Sequence, residues 1–427
     1  MKTKKNLLKI KQVLIVFFLV LQGMTPCLSA TNSIKVDYVE YKGKVVDSKN
    51  GNGITSAYLS VNGTNISTIT NNDGEFSLKV PENITNAMVT VSYLGYQSKT
   101  LPLDFFKKEN TRIELEETVE ELSEISIFSS KDARGLVLDM LKKRDANYLN
   151  DQSEMTAFYR ETIKKRRRNV SLSEAVVKIY KQPYTSSKRD EISIVKARKK
   201  TDYERLDTLA LKLRGGPFNT IYLDVMKYPE FLFSPDDIDI YEFTFSKPTK
   251  IQNRYLYVID FVEKDHKNPW YYGKLFVDAE THTLVKATYK LNVENRNAAS
   301  NLFVKKKPTG ARVYPVNVDY RIDYRESNGK WFYGYGNAQL EFVVNWKNKI
   351  FNSRYTINGE MAVTDWKLDP EGKSRKEKNL ISPSVIMADD VSGFSDPDFW
   401  GDNNIIEPEK SIENAIEKIQ RQMKKED

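Results

Sequence analysis

Three short stretches in the first quarter of the chain decide how it folds: Tyr41-Lys-Gly-Lys-Val-Val-Asp47, Asn71-Asn-Asp-Gly-Glu-Phe76 and Val91-Ser-Tyr-Leu-Gly-Tyr96. Around them, runs rich in Val, Ile, Thr and Tyr alternate with turn signals about every ten residues, which is typical of an all-β module. The pairs Asn62-Gly63 and Asp73-Gly74 supply residues that tolerate positive φ, as tight hairpins require. The pattern therefore predicts a small β-sandwich.

The same three stretches, in this order, resemble the carboxypeptidase-like regulatory domain, and we assign residues 39–116 to it. The resemblance implies a transthyretin-like β-sandwich that carries no catalytic residues of its own. It also implies a protein of the cell surface of Bacteroidetes-type bacteria, where this family is frequent.

Residues 1–30 have the pattern of a secretory signal peptide. Five lysines and no acidic residue precede or flank the apolar run Val13–Leu21, and the segment ends in small residues at Ala30. The nine residues of that run are too few for a membrane-spanning helix, which needs about 20. We therefore expect export to the periplasm, the outer membrane or the cell surface. Lipidation of Cys27 is the alternative, and Pro26 makes the preceding sequence a poor lipidation signal.

The net charge of +8 depends mainly on that segment. Five of the 66 basic residues lie in residues 1–30, which leaves 61 against 58 acidic residues, a net charge of +3. So small a surplus argues against nucleic acid as a partner.

Residues 117–130 are acid-rich and are predicted to be a linker to a larger domain over 131–424. A helix is predicted over 131–148, because its apolar residues recur with the spacing of one helix face. A second helix is predicted over 408–424, where Pro408 is a favoured first-turn residue.

Between the helices the hydrophobic pattern has a period of two. The even positions from Val316 to Tyr324 are mostly apolar, whereas the alternate positions are polar: Asn317, Asp319, Arg321, Asp323 and Arg325. Successive strands of this kind predict an antiparallel sheet that is covered on one side only. The fold class is thus mainly β (α+β), with a curved sheet that forms a half-barrel.

Two resemblances concern this larger domain. The hairpin of Tyr271–Asp278 and Thr283–Ala287 is similar to a unit of the LolA-like half-barrel. The domain as a whole resembles an uncharacterised Bacteroidetes family, on the stretches Phe158-Tyr-Arg-Glu161, Phe399-Trp-Gly401 and Ile405-Ile-Glu-Pro408.

The residue inventory argues against an enzyme. Only His266 and His282 are available as imidazole ligands, and Cys27 lies within the signal segment. We therefore expect neither a metal site nor a cofactor, and no nucleophile motif is present. Acid pairs such as Asp236-Asp237 and Asp389-Asp390 leave open a carboxylate-dependent glycan hydrolase as an alternative.

Two groups of residues are candidates for binding. Aromatic pairs at strand starts could line a groove for an acyl chain or a sugar: Trp270 and Tyr272, and Trp331 and Tyr333. A basic run could bind lipid headgroups or polyanionic sugar: Lys164, Lys165, Arg166, Arg167 and Arg168. The alternatives are aromatic residues that simply suit strands and a solvated hairpin tip that discourages edge pairing.

These observations favour a non-enzymatic binding or assembly protein of the cell envelope. It would hold a hydrophobic or lipidated ligand on the curved sheet, or would dock an envelope protein, in association with the outer membrane. A purely structural adhesion module is the remaining alternative.

Overall fold

A computed structural model describes residues 37–118, 132–204, 206, 215–233, 238–304, 309–347, 350–372 and 379–426. Residues Tyr38–Asp427 belong to one compact unit. The expected signal peptide at 1–30 and residues 119–130 of the expected linker at 117–130 lie outside the described residues.

The predicted sandwich is confirmed. Its strands are β1 (Tyr38–Asp47), β2 (Tyr58–Val61), β3 (Ser67–Ile69), β4 (Glu75–Pro81), β5 (Met88–Ser92), β6 (Lys99–Pro102) and β7 (Thr111–Leu115). They form two sheets, in the orders β4-β1-β7 and β3-β2-β5-β6, around a core that includes Val45, Leu59 and Phe76. Gly74 adopts a φ of 81°, and a Cβ there would lie 2.6 Å from the Val45 carbonyl oxygen, so the turn requires glycine.

The larger part of the chain is an open antiparallel sheet of ten strands, as the period of two predicts. Its order is β10-β9-β8-β17-β16-β15-β14-β13-β12-β11. The strands are β8 (Ser153–Lys165), β9 (Arg168–Lys181), β10 (Glu191–Thr201), β11 (Tyr241–Ile251), β12 (Arg254–Glu263), β13 (Tyr271–Asp278), β14 (Leu284–Leu291), β15 (Ala311–Ser327), β16 (Lys330–Trp346) and β17 (Ser353–Leu368).

Five helices flank the sheet in the described residues: α1 (Ala133–Lys142), α2 (Arg144–Asn147), α3 (Phe218–Ile221), α4 (Arg296–Phe303) and α5 (Lys410–Glu426). Asp132 caps α1 by accepting a hydrogen bond from the Gly135 amide. Where one helix was predicted over 131–148, the chain has α1 and α2, with Lys143 between them.

One face of the sheet, here called the inner face, is filled by the chain itself. Tyr159, Val177 and Met361 on this face pack in one core with α1 and with the segment that joins β10 to β11. From that segment Phe218 and Phe233 are buried in the same core. Described residues therefore occupy the face on which a hydrophobic ligand was expected.

The opposite face, here called the outer face, is also covered. Phe158, Val176 and Ala362 on this face pack against Ile69 of the sandwich and against Trp400. Further along, α5 places Ile412 and Ile419 against Leu172 of β9. The prediction of a sheet covered on one side only is therefore wrong, because the sandwich and the C-terminal segment (residues 391–409) cover the second side.

The three stretches that mark the larger domain in the sequence meet on the outer face. The rings of Phe158 and Trp400 make an edge-on contact at 5.4 Å. Arg160 donates to the Ile406 carbonyl at 2.6 Å and pairs with the Glu174 carboxylate at 2.8 Å. Arg198 pairs with the other oxygen of Glu174 at 2.6 Å. This buried ion network fixes the C-terminal segment to the sheet.

We expect Trp400→Ala to lower the free energy of unfolding by about 3–5 kcal/mol, because it leaves a cavity between the sheet and the C-terminal segment. Chemical denaturation followed by tryptophan fluorescence measures the change. The matched control is Phe351→Ala, since that ring is exposed, and its effect should stay within about 0.5 kcal/mol. Equal effects of the two substitutions would contradict the docking role of Trp400.

Candidate functional site

A cavity of about 310 Å³ lies between the sandwich and the outer face of the sheet. The sandwich contributes Tyr58 and Tyr93 to its lining, and the sheet contributes Lys286, Asp323 and Arg325, among others. The volume is at the lower end of the range for small-molecule sites, which is roughly 300–1,000 Å³. The cavity can therefore hold a ligand of about the size of a monosaccharide.

The charged side chains reach the cavity because β15 is regular there. Alternate residues of a strand point to opposite faces, so that Arg321, Asp323 and Arg325 share the outer face. The intervening Ile322 and Tyr324 belong to the inner core. Lys286 of β14 is the register partner of Asp323, which brings it to the same face.

Arg325 is a buried cation that lacks a paired carboxylate among the described residues. Its side chain is 8% exposed, and its guanidinium lies over the Tyr58 ring at 3.6 Å. Nη1 donates to Ser67 Oγ at 2.8 Å and to the Val363 carbonyl at 2.6 Å. Nη2 is buried and has no hydrogen-bond acceptor in the described part of the chain. Burial lowers the pKa of Arg325.

The space for this guanidinium comes from a glycine. A Cβ at Gly334 would lie 2.5 Å from the Arg325 Cγ, so a larger residue would push the arginine out of its position. Gly334 lies at a register irregularity of β16. It stands between Tyr335, which pairs with Asp323, and Tyr333, which pairs with Tyr324. The local distortion of β16 and the seating of Arg325 are thus one feature.

Around Asp323 the charges do not balance. Its Oδ2 accepts a hydrogen bond from Arg321 Nε at 2.8 Å, and its Oδ1 lies 3.7 Å from Lys286 Nζ. Arg321, Arg325 and Lys286 therefore surround one carboxylate. Burial lowers the pKa of Lys286 to about 8, an effect that Arg321 reinforces and Asp323 opposes. The site is suited to accept a further negative charge.

Aromatic side chains form the rest of the lining. Trp331, Phe332 and Trp366 line the cavity with Tyr58 and Tyr93. Phe332 and Trp366 are 4.9 Å apart between ring centroids. Flat apolar surfaces beside cationic groups can bind an anion that has a ring or an apolar body.

The structure separates the aromatic residues that the sequence singled out. Trp331 and Tyr333 both belong to the inner core, where Tyr333 is completely buried, and Trp331 also lines the cavity. Trp270 is partly buried against that core. Tyr272 is exposed. Of the four, Trp331 alone is among the residues that line this cavity.

The basic run forms the turn between β8 and β9. Lys164 pairs with Glu409 at 3.3 Å, and Lys165 lies over the Tyr355 ring at 5.8 Å. Arg166 has a φ of 55°, and Arg166, Arg167 and Arg168 are exposed. None of the five residues lines the cavity.

Sequence reasoning missed the charged residues of the cavity. The alternation of Arg321, Asp323 and Arg325 was visible, but it was interpreted as a face toward water. The alternation of opposite charges along one strand could have indicated the site, because the sandwich can reach that sheet.

The structure brings two aspartates together elsewhere, as a glycan hydrolase would require of its acid pair. Asp190 and Asp224 share the Nζ of Lys181, each at 2.7 Å, and all three side chains are buried. Asp224 also accepts hydrogen bonds from Tyr184 and Tyr324, each at 2.9 Å. This network is saturated by protein groups and ties the β10–β11 segment to the sheet.

The acid pairs that the sequence suggested do not form a cleft among the described residues. Asp389 accepts from Thr201 Oγ1 at 2.9 Å, and Asp390 accepts from Ser392 Oγ at 2.7 Å, which are loop contacts. Asp236 and Asp237 lie outside the described residues. Within the described part of the chain, no group of three or more metal-ligating side chains is assembled.

Comparison with known proteins gives one family match and several distant structures. Residues 41–127 match the model of the CarboxypepD_reg-like domain. No curated protein sequence matches the chain. In the described residues, no helix has the length and apolar character needed to cross a membrane.

Three solved structures illustrate the distant similarity. A domain described as an outer membrane lipoprotein-sorting protein from Vibrio parahaemolyticus is 12% identical, with a TM-score of 0.24, over 58% of this chain and 94% of its own. A LolA superfamily protein from Nitrosomonas europaea is 9% identical, with a TM-score of 0.23, over 56% and 94%. A membrane-associated protein of unknown function from Bacteroides fragilis is 8% identical, with a TM-score of 0.15, over 77% and 97%.

Because these TM-scores are low, nothing about function follows from the three structures. The family match agrees with the resemblance of the first part of the sequence. The chain carries a CarboxypepD_reg-like domain at residues 41–127, followed by an open antiparallel sheet of ten strands.

Proposed function

We propose that this chain is a non-enzymatic binding protein of the cell envelope that holds a small carboxylate-bearing ligand between its sandwich and its sheet. The observation that carries the proposal is Arg325. A buried guanidinium with no paired carboxylate is unfavourable in the empty protein. A ligand carboxylate at Nη2 would supply the missing partner.

The surroundings of Arg325 support a ligand over a purely structural role. Lys286 and Arg321 add positive charge within the same cavity, and the one carboxylate between them is already bonded to Arg321. Aromatic residues on both sides offer stacking surfaces for a ring. We infer that the ligand has one negative group and a compact apolar or sugar-like body.

The envelope location rests on the sequence. The basic, apolar and small-residue pattern of residues 1–30 is typical of an exported protein. A domain of the regulatory-like family at 41–127 agrees with that location. An envelope protein partner of this domain remains a further proposal.

The alternatives receive less support. A lipid on the inner face would have to displace Phe218, Phe233 and α1 from a continuous core. A hydrolase would need two carboxylates across an open cleft at about 5–10 Å, and the Asp190–Asp224 pair is buried around Lys181. A purely structural module would not require an unpaired buried arginine.

We expect isothermal titration calorimetry to detect binding of glucuronate and not of glucose, which has the same ring without the carboxylate. In Arg325→Met the affinity for glucuronate should fall about 10- to 100-fold, because a charged hydrogen bond is lost. The free energy of unfolding of the empty variant should stay within about 1 kcal/mol or rise, since a buried charge is replaced by an apolar chain of similar size.

Arg112→Met is the matched control for that substitution. Arg112 is exposed on the sandwich and pairs with Glu114 at 3.0 Å, so affinity should not change. Mass spectrometry of material released from the denatured native protein would identify the natural ligand. Equal binding of glucose and glucuronate, or full affinity in Arg325→Met, would refute the proposal.

We expect the affinity for glucuronate to decrease above pH 8, by up to about tenfold per pH unit. Lys286 has a pKa of about 8 in the empty protein, and the ligand carboxylate favours its protonated form. Above that pKa, binding must first take up a proton. Groups that face Lys286 are Asp323, Arg321 and the rings of Tyr93 and Phe276.

Lys286→Gln tests the origin of this pH dependence, and the step near pH 8 should disappear in the variant. In the empty wild-type protein, the free energy of unfolding should rise between pH 8 and about 10, because the unfolded lysine binds more protons there. Lys227, whose pKa is also lowered to about 8, contributes in the same direction. Only the difference in the free energy of unfolding between wild type and variant therefore reports the contribution of Lys286. An unchanged pH profile of affinity in Lys286→Gln would exclude Lys286 as the origin of the pH dependence.

A further inference from the structure

Two connections between strands lie side by side at one end of the sheet. One is the turn between β8 and β9, and the other is the segment between β16 and β17. The amide of Arg166 donates to the carbonyl of Arg354 at 2.9 Å, and Lys165 is the register partner of Tyr355. Phe351 is three residues before Arg354, so it lies within about 11 Å of that contact.

The second connection exposes two large apolar side chains. Ile350 is 95% exposed and Phe351 is 76% exposed, and no other large apolar side chain in the described residues is as exposed. They are adjacent in sequence and lie at the end of a long hairpin. Two such exposed neighbours are unfavourable in water. We therefore expect a binding partner that removes them from water.

The surroundings of the two side chains are basic. Arg166, Arg167 and Arg168 are exposed beside Arg354 and Lys347, which are exposed too. Acidic side chains near this end are paired with other cations: Glu341 lies 3.4 Å from Arg354, Glu409 lies 3.3 Å from Lys164, and Asp202 lies 3.5 Å from Lys418. For the three arginines of the turn, no carboxylate partner occurs among the described residues.

We propose that this end of the sheet, Arg166–Arg168 with Ile350 and Phe351, docks on an anionic lipid surface. The apolar side chains would enter the boundary between headgroups and acyl chains, and the arginines would contact lipid phosphates. The proposal is independent of the ligand cavity, whose residues lie elsewhere.

A lipid surface fits this end better than a protein partner does. A stable protein interface buries about 800 Å² on each side, which two side chains at a tip cannot supply. Reversible membrane binding needs only a few apolar residues together with basic residues. Each basic residue contributes through its attraction to the negative surface potential of the membrane. The geometry therefore points to weak, charge-dependent attachment.

Co-sedimentation with vesicles tests the proposal, using the chain without residues 1–30, whose apolar run would bind vesicles by itself. Its removal leaves the compact unit Tyr38–Asp427 intact. Wild type should bind vesicles that contain phosphatidylglycerol and not vesicles of phosphatidylcholine alone. Binding should fall as the salt concentration rises from about 0.05 to 0.3 M, because screening shortens the reach of the charges.

Two variants with matched controls locate the surface. Arg166→Ser with Arg167→Ser should weaken binding about 25-fold, at about fivefold for each arginine, and Phe351→Ser should weaken it about tenfold. The controls remove the same charge or a similar apolar group elsewhere: Arg112→Ser on the sandwich with Arg421→Ser on α5, and Leu368→Ser at the other end of β17. Each control should change binding by less than about threefold.

Several outcomes would overturn the proposal. They are equal binding to both kinds of vesicle, no binding to anionic vesicles at low salt, and equal losses in variants and controls. Retention on an immobilised sulfated polysaccharide without vesicle binding would also overturn it, and would assign the arginines to a polyanionic sugar. Unchanged melting temperatures of the variants ensure that a loss of binding reports the surface and not unfolding.

Discussion

The structure depends on one constraint, which is that both faces of an open ten-stranded sheet must be shielded from water. β10 and β11 follow each other in the chain but form opposite edges of the sheet. Nine strand spacings of about 4.8 Å, roughly 43 Å, separate these edges along the sheet. The described residues of the connection between β10 and β11 therefore lie across one face of the sheet. Their apolar residues Phe218 and Phe233, together with α1, fill the inner core. The outer face is left for the sandwich and the C-terminal segment.

Covering both faces of the sheet brings polar groups out of water, and the chain treats them in two different ways. Lys181 has two aspartates, and Arg160 has Glu174 with the Ile406 carbonyl. These cations are satisfied and hold segments of the chain together. Arg325 is buried as well, yet its hydrogen-bond acceptors are a hydroxyl and a carbonyl, both neutral. Because an unpaired buried charge is strongly unfavourable, the contrast within one protein argues that Arg325 has a place for a ligand in addition to the contacts it makes between the sandwich and the sheet.

Local chemistry explains how much could be predicted. Asp73-Gly74 requires a tight turn wherever it occurs, and strict alternation requires a strand, so the sandwich and the sheet follow from short stretches. The outer cover could not be predicted, because a polar position facing water and a polar position facing a polar cavity give the same pattern. The contact of Phe158 with Trp400 joins residues far apart in sequence, and only folding brings them together. For the same reason Trp331 and Tyr333, which look equivalent in the sequence, differ in the structure: both belong to the inner core, but Trp331 also lines the cavity.

Arg325 also connects the cavity to the contact between the sandwich and the sheet. Its Nη1 bonds at once to Ser67 of the sandwich and to Val363 of the sheet, while Nη2 faces no acceptor in the described part of the chain. A carboxylate bound at Nη2 would offset the unfavourable free energy of burying the guanidinium. Both hydrogen bonds of Nη1 depend on that buried guanidinium. It would therefore strengthen the contact between sandwich and sheet. By linkage, whatever strengthens that contact must raise the affinity for the ligand by the same factor. Any partner that changes the strength of the contact between the sandwich and the sheet would then change the affinity for the ligand through this one guanidinium.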